Sequence, residues 1–332
     1  MDQEHLKSSL RLDLENNKKM TSISSANNIK ERTTEFCSKL QKKSPNKFIE
    51  KELFSEIIAE FIRQEYDLIP SKERIGKGAV YISKYIAKAL FQFLHKNSLY
   101  GIEDYYQFGK VAFQSGEITD NSHLQHFALL FLAEYIYNYP EHFDSILNDV
   151  LSYANNDKWE IRESTAYIII SAMRKIPSHT LEILTKLISN QNENIRRLVT
   201  ESLRPSSTLK WLRDPLKNDQ ILDLLTLLNK DPSIYVRKSV GNNLKDLSKY
   251  MPYKILKLMM DWIEISNIKV HDDLASEIGM SQEQKRLLWT IKHALRWLKK
   301  NNPEFHPKIK NILGNNYILY FDEKRNRLAK PF

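Results

Sequence analysis

DKWEIRESTAYIIISAMRKIPSHTLEILTKLISNQNENIRRLVTESLRP, Asp157 to Pro205, holds one pattern twice. In each copy a short polar turn leads into Ile-Arg and then an apolar helical run. The first copy also shows the ending, Pro177 followed by a second amphipathic stretch. The pairs Ile161-Arg162 and Ile195-Arg196 mark the register, 34 residues apart. Working outward, the same frame returns at Val236-Arg237 within DPSIYVRK (231–238) and at Ile291-Lys292 within WTIKH (289–293). Repeats of about 34 to 47 residues, each a helix pair, identify a solenoid in which every unit buries its apolar face on its neighbours. The expected fold class is therefore all-α, a superhelical solenoid of antiparallel helix pairs.

Composition agrees. Eight glycines, eleven prolines and 42% hydrophobic residues fit a helical chain with an ordinary core. The lone cysteine, Cys37, excludes internal disulfides and a thiolate metal cage. No apolar run approaches the roughly 18 residues of a membrane span, and the polar N-terminus does not read as a signal peptide. A cytoplasmic monomer with no cofactor, metal or membrane partner is expected. The sequence has no GxxxxGK[ST], GxGxxG or HExxH, and His123 and His126, three apart in an apolar helix, read as packing residues.

Net charge is +9, unevenly spread. Residues 101–150 carry one Lys/Arg and eight Asp/Glu, a net of −7, whereas 151–332 carry 31 and 20, a net of +11. A basic repeat surface fits a polyanion, nucleic acid first, or ordinary solubility charge on exposed faces.

Four regions follow. Residues 1–46, polar and poor in aromatics, are expected to be flexible or loosely helical. Residues 47–139 form an N-terminal helical region, with helices over 47–66, 78–96, 102–115 and 121–138. Its aromatic runs, Phe91 to Phe93 and Phe127 to Tyr139, read as core. Residues 140–314 are the repeat array, where Pro140, Pro177 and Pro252 each open a second helix. The stretches 204–218 and 265–284 interrupt that array. Residues 315–332 are a basic tail with one short strand.

On the helix that follows Asp157, Ile161, Ile168 and Ala172 make the core face, while Trp159 and Glu163 lie opposite with Ala166. The plain structural reading packs Trp159 on a neighbour and leaves Glu163 to the helix dipole. Aligning the repeats adds a second reading. Glu163, Arg197, Lys238 and His293 then form one row, and Tyr167, Glu201, Asn242 and Trp297 a second row one turn on. A single acid in a row of cations stays ionised and costs affinity for phosphate unless it has a task.

From Arg196 to Pro205 (RRLVTESLRP), and again through 231–249 and 289–300, the chain resembles the DNA alkylation repair family, the HEAT-like-repeat alkylpurine DNA glycosylases of the AlkC and AlkD kind. The later segments look closest to the AlkC branch, and Trp159-x-x-x-Glu163 looks more like the AlkD branch, with Glu in place of Asp. The likeness spans roughly 140–312, and this chain has Ser202 where the AlkC-like pattern has Gly. The resemblance implies a DNA repair protein that binds double-stranded, damaged DNA on a basic concave surface. It also implies hydrolysis of the N-glycosidic bond of cationic alkylated purines, of the 3-methyladenine or 7-methylguanine type. In that role Glu163 would stabilise the cationic sugar, Trp159 would lie against sugar or lesion, and Glu201 is the second catalytic candidate. Arg162, Arg196, Arg197, Arg204, Trp211, Lys238, Asn242, Lys245, Lys292 and His293 would line the DNA, with no metal. Two other classes remain open: a non-catalytic HEAT-like-repeat protein binding damaged or branched nucleic acid, and a protein-interaction scaffold using the acidic 101–150 segment.

Overall fold

The computed structural model describes residues 23–74, 76–270, 279–317, 321–322 and 327–328. The fold is all-α, with two compact units, Met1–Tyr135 and Ile136–Phe332. The division falls inside a helix, a few residues before the expected 139/140 boundary.

The first unit contains α1 (Ala26–Lys43), α2 (Lys51–Leu68), α3 (Ala79–Lys96), α4 (Ile102–Ile118) and most of α5 (Ser122–Asn138). Helix α1 packs on α3 and α2 on α4. Aromatic rings fill the core, with Phe36 stacked on Phe61 at 4.3 Å and Phe131 against Phe91 at 5.4 Å and Phe108 at 5.1 Å. Phe91, Phe93 and the run from Phe127 to Ile136 are core, whereas Tyr137 and Tyr139, expected in the same run, are only half-buried.

The expectation for residues 1–46 needs correction. Positions 1–22 lie outside the described residues, but α1 is a packed helix. Its Ile29, Phe36, Cys37 and Leu40 form a buried stripe at helical spacing, which the polar average of the segment conceals. Ser25 caps it by accepting from Asn28 N, and Arg32 donates through two nitrogens to the buried Glu65 of α2. Burial pushes the Cys37 thiol far up, so this residue is an inert core side chain.

The second unit continues with α6 (Phe143–Ala154), α7 (Trp159–Lys175), α8 (Pro177–Leu187), α9 (Glu193–Ser202), α10 (Asp219–Leu227), α11 (Ile234–Leu247), α12 (Pro252–Ile265), α13 (Gln282–Asn301) and α14 (His306–Leu313). Pro177 and Pro252 occupy first turns, where a missing N–H costs nothing, while Pro140 opens a short 3-10 turn ahead of α6. Helices α7, α9, α11 and α13 pack side by side in that order and make one layer. Ile161, Ile168 and Ala172 are fully buried in it; Ala166, expected opposite the core, is buried too. Between α11 and α13 the approach is so close that a Cβ on Gly241 would meet His293 Cβ at 2.8 Å.

One device sets each turn into this layer. Asn156, Asn190 and Asp231 each accept, through a side-chain oxygen, the backbone N–H two residues on, at 2.8–3.0 Å. Six residues after each of them an arginine folds back. Arg162 donates to the carbonyls of Asn156 and Asp157, Arg196 to Asn190 and Gln191, and Arg237 to Asp231 and Pro232.

The interruption at 204–218 contains a 3-10 turn, Lys210–Arg213. In the tail, β1 (Phe321–Asp322) pairs antiparallel with β2 (Arg327–Leu328), so the tail holds two short strands where one was expected. No helix among the described residues is long and apolar enough to cross a membrane.

Because α1 carries core aromatics, Phe36→Ala should cost about 3–5 kcal/mol in urea unfolding. A chain starting near Pro45 should lose cooperative melting of the first unit. Unchanged melting in both would detach α1 from the core.

Candidate nucleic-acid interface

Glu163 stands on α7 immediately after the turn-closing Arg162, and the same position holds Arg197 on α9 and Lys238 on α11. With Arg tucked into the turn, the next residue, about 100° further round, points away from it. The three then differ in environment. Glu163 keeps 41% of its side chain exposed, Arg197 is 8% exposed as a residue, and Lys238 is exposed without an ion-pair partner among the described residues.

Arg197 is the hub. It donates to Glu163 Oε1 at 3.0 Å and to the Tyr235 carbonyl at 2.7 Å, and its guanidinium lies 3.9 Å from the Tyr235 ring centroid. It also pairs with Glu201 at 3.2 Å. Glu163 Oε2 has no hydrogen-bond partner among the described residues. Trp159, one turn before Glu163, is 59% exposed, an outlay of apolar surface that packing does not require.

Tyr235 was part of the quoted repeat frame but was not singled out as a site residue. Two arginines sit over its ring, Arg197 and Arg162, and Arg162 also donates to its hydroxyl at 3.1 and 3.2 Å. The signal in the sequence was its place just ahead of Val236-Arg237, the position Asn194 holds in the preceding repeat.

Several expected site residues are otherwise occupied. Arg162 and Arg196 close turns; Arg196 is further held by Asp231 at 2.7 and 3.0 Å. Glu201, 9% exposed, uses both oxygens internally, accepting from Ser239 at 2.6 Å and pairing with Arg197 and Arg204. It therefore supports Arg197 and is no second catalytic acid. Arg204 and Lys245 both bind Asp246 at 2.7 Å. Burial raises the Asp246 carboxyl, but hydrogen bonds from Arg204, Lys245 and Lys249 outweigh it and hold the group well below the carboxylate range. Lys292, in the turn-arginine frame, is buried near the Trp289 ring. Asn242 accepts from Arg296. Trp211 lies in the interrupting loop, beside Arg174 and Lys175 in a separate cleft.

Lys238 and Arg296, with the neutral His293, stand at one end of the layer. His293 stacks on Trp289 at 4.8 Å, and its buried Nδ1 has no partner. Burial, then the charges of Arg296, Lys292, Lys238 and Lys245, push its pKa down to about 3. A neutral His293 beside the exposed Lys238 suits an anion. Among the described residues no group of three or more His, Cys, Asp or Glu could hold a metal ion.

A pH dependence follows. The folded chain holds His293 below its unfolded value of about 6.5, so the unfolded chain binds the extra proton. The His293 contribution is complete above about pH 6.5 and is lost as pH falls toward 3. His293→Asn should flatten the melting temperature between pH 6.5 and 4.5. A parallel pH profile in parent and variant would contradict this.

No family model matches the chain. The uncharacterized protein YhaZ of Bacillus subtilis (strain 168) is 37% identical over 115 residues, 33% of this chain. The match spans 27% of that protein's length. Among solved structures, AlkD2 from Streptococcus mutans is similar with a TM-score of 0.49 and 21% identity, covering 73% of this chain and 97% of its own. Smu.31 from Streptococcus mutans UA159 has the same TM-score and identity over 74% and 97%. The alkylpurine DNA glycosylase AlkC of Pseudomonas fluorescens, bound to DNA containing an abasic site analog, has a TM-score of 0.48 and 21% identity over 80% of this chain and 67% of its own.

Proposed function

We propose that the α7–α9–α11–α13 layer binds duplex DNA and that the chain hydrolyses the N-glycosidic bond of cationic alkylated purines, of the 3-methyladenine or 7-methylguanine type. The observation that carries this reading is Glu163: Arg197 fixes one carboxylate oxygen while the other is free beside an exposed Trp159. The likeness of RRLVTESLRP and the later repeat segments to the alkylpurine glycosylases supports the same assignment.

The alkylated base carries positive charge, so it leaves as a neutral purine when the C1′–N bond breaks and takes the bonding pair. Positive charge then develops on the sugar, and the free Glu163 oxygen would stabilise it as a fixed carboxylate. A water oxygen bonds to C1′ and loses a proton to that carboxylate or to solvent. Trp159 presses on the sugar or lesion. Lys238, His293 and Arg296 hold phosphates and position the strand without reading sequence. Arg197 acts through Glu163 and is a positioning residue.

Glu163→Gln should retain folding and DNA affinity and lower the release of 7-methylguanine from methylated DNA by roughly 10²-fold, the size seen when a preorganised electrostatic group is lost. Lys238→Ala should weaken binding across sequences and reduce the salt slope by about one. Base release by Glu163→Gln at the parent rate would remove the carboxylate from the mechanism. A parent chain that binds duplex DNA and releases no methylated purine would leave the non-catalytic reading.

A further inference from the structure

A cleft of about 240 Å³ opens at the far end of α7, lined by Tyr137, Arg174, Lys175, Thr208, Leu209 and Trp211. Arg174 Cζ and Lys175 Nζ lie 4.0 and 4.2 Å from the Tyr137 ring centroid. Both cations are exposed, and neither has a carboxylate partner among the described residues. A basic residue in the last turn of a helix complements its dipole. That effect does not call for two cations drawn over a tyrosine of another helix and opening onto a tryptophan.

The opposite wall is firmly built. Arg213 donates to the Pro205 carbonyl at 3.2 Å and lies over the Tyr250 ring at 4.7 Å. The buried Asn218 donates to the Leu212 carbonyl at 3.3 Å and accepts from Lys254 at 2.9 Å. The interruption of the repeat spacing at 204–218 thus places Thr208 and Trp211 against the end of α7.

From these observations we infer that the cleft seats one phosphate–deoxyribose unit of a DNA strand, with the phosphate on Arg174 and Lys175 and the sugar or base edge against Trp211. The volume is below the ~300 Å³ lower end of free small-ligand pockets, which favours one unit of a chain. Position agrees. Arg174 follows Glu163 by eleven residues on α7, an axial distance of about 16 Å and a rotation of only about 20°. The cleft therefore shares the Glu163 face, roughly five base steps away at 3.4 Å per step. This rests on the reading that the layer faces DNA.

The test measures affinity for a long duplex against salt concentration. Arg174→Gln with Lys175→Gln should make the salt slope shallower by about 2, so that the parent's advantage shrinks about 12-fold between 50 and 200 mM salt. The charge-preserving exchange Arg174→Lys with Lys175→Arg should keep the parent slope, with melting temperature as the folding control. Trp211→Ala should weaken binding about 5-fold or more and leave the slope unchanged, because it removes a stacking contact and no charge. A parent that binds DNA while the double Gln variant keeps its slope overturns the cleft assignment alone. A parent that binds no duplex overturns both this inference and the DNA-binding reading. Equal binding of poly-glutamate and DNA by the cleft overturns the assignment to a nucleotide unit.

Discussion

The structure of the repeat layer depends on the hydrogen bonds by which an arginine closes the turn ahead of its own helix. Peptide carbonyls at a helix entry have no intrahelical donor, and burying them unsatisfied is costly. Arg162, Arg196 and Arg237 each satisfy two such carbonyls, while Asn156, Asn190 and Asp231 satisfy an N–H of the same turn. The same entry geometry is thus imposed three times. Links run between turns as well: Asn192 and Asn194 donate to Asn155, and Arg196 to Asp231. A row of residues facing one way results from these turns, since each follows its arginine by one position.

That row carries a ladder of alternating charge. Glu163 meets Arg197, Arg197 meets Glu201, Glu201 meets Arg204, and Arg204 meets Asp246, which also binds Lys245 and Lys249. Many basic residues of 151–332 are therefore paired internally, and the net of +11 is carried by the others. Lys238, Arg174 and Lys175 are exposed and have no acid partner among the described residues. Among the described acids of this ladder, Glu163 reaches the exposed face, whereas Glu201 and Asp246 are paired inside. The cost of burying Arg197 and Glu201 is offset by their mutual pairing and by Tyr235 and Ser239.

The first unit works by different physics. Its core is aromatic, and its one deeply buried ion pair, among the described residues, ties α1 to α2 through Arg32 and Glu65. Among its described residues no helix-borne arginine donates to a pair of carbonyls in the turn ahead of its own helix. Its helices are held by ring packing and ridge contacts, which tolerate irregular spacing. This accounts for the absence of a visible period before Pro140.

What the sequence determined by itself was local. The 34-residue frame, the helix pairs, the proline-opened helices and the apolar faces of α7 to α13 all follow from helical periodicity and turn chemistry, which act over a few residues. Glu163 and Trp159 were legible too, because they fall off the core stripe of one helix. Tertiary structure alone decided which cations are available. Arg204 reaches Asp246, 42 residues later in the chain, and the Tyr235 that Arg162 meets lies 73 residues on, so no local pattern could mark those contacts. The same holds for α1, whose buried stripe has meaning only against α2 and α3, and for Trp211, brought to Arg174 and Lys175 by a loop that interrupts the repeat. Charge type is written in the sequence, but its partner is chosen by contacts between distant segments.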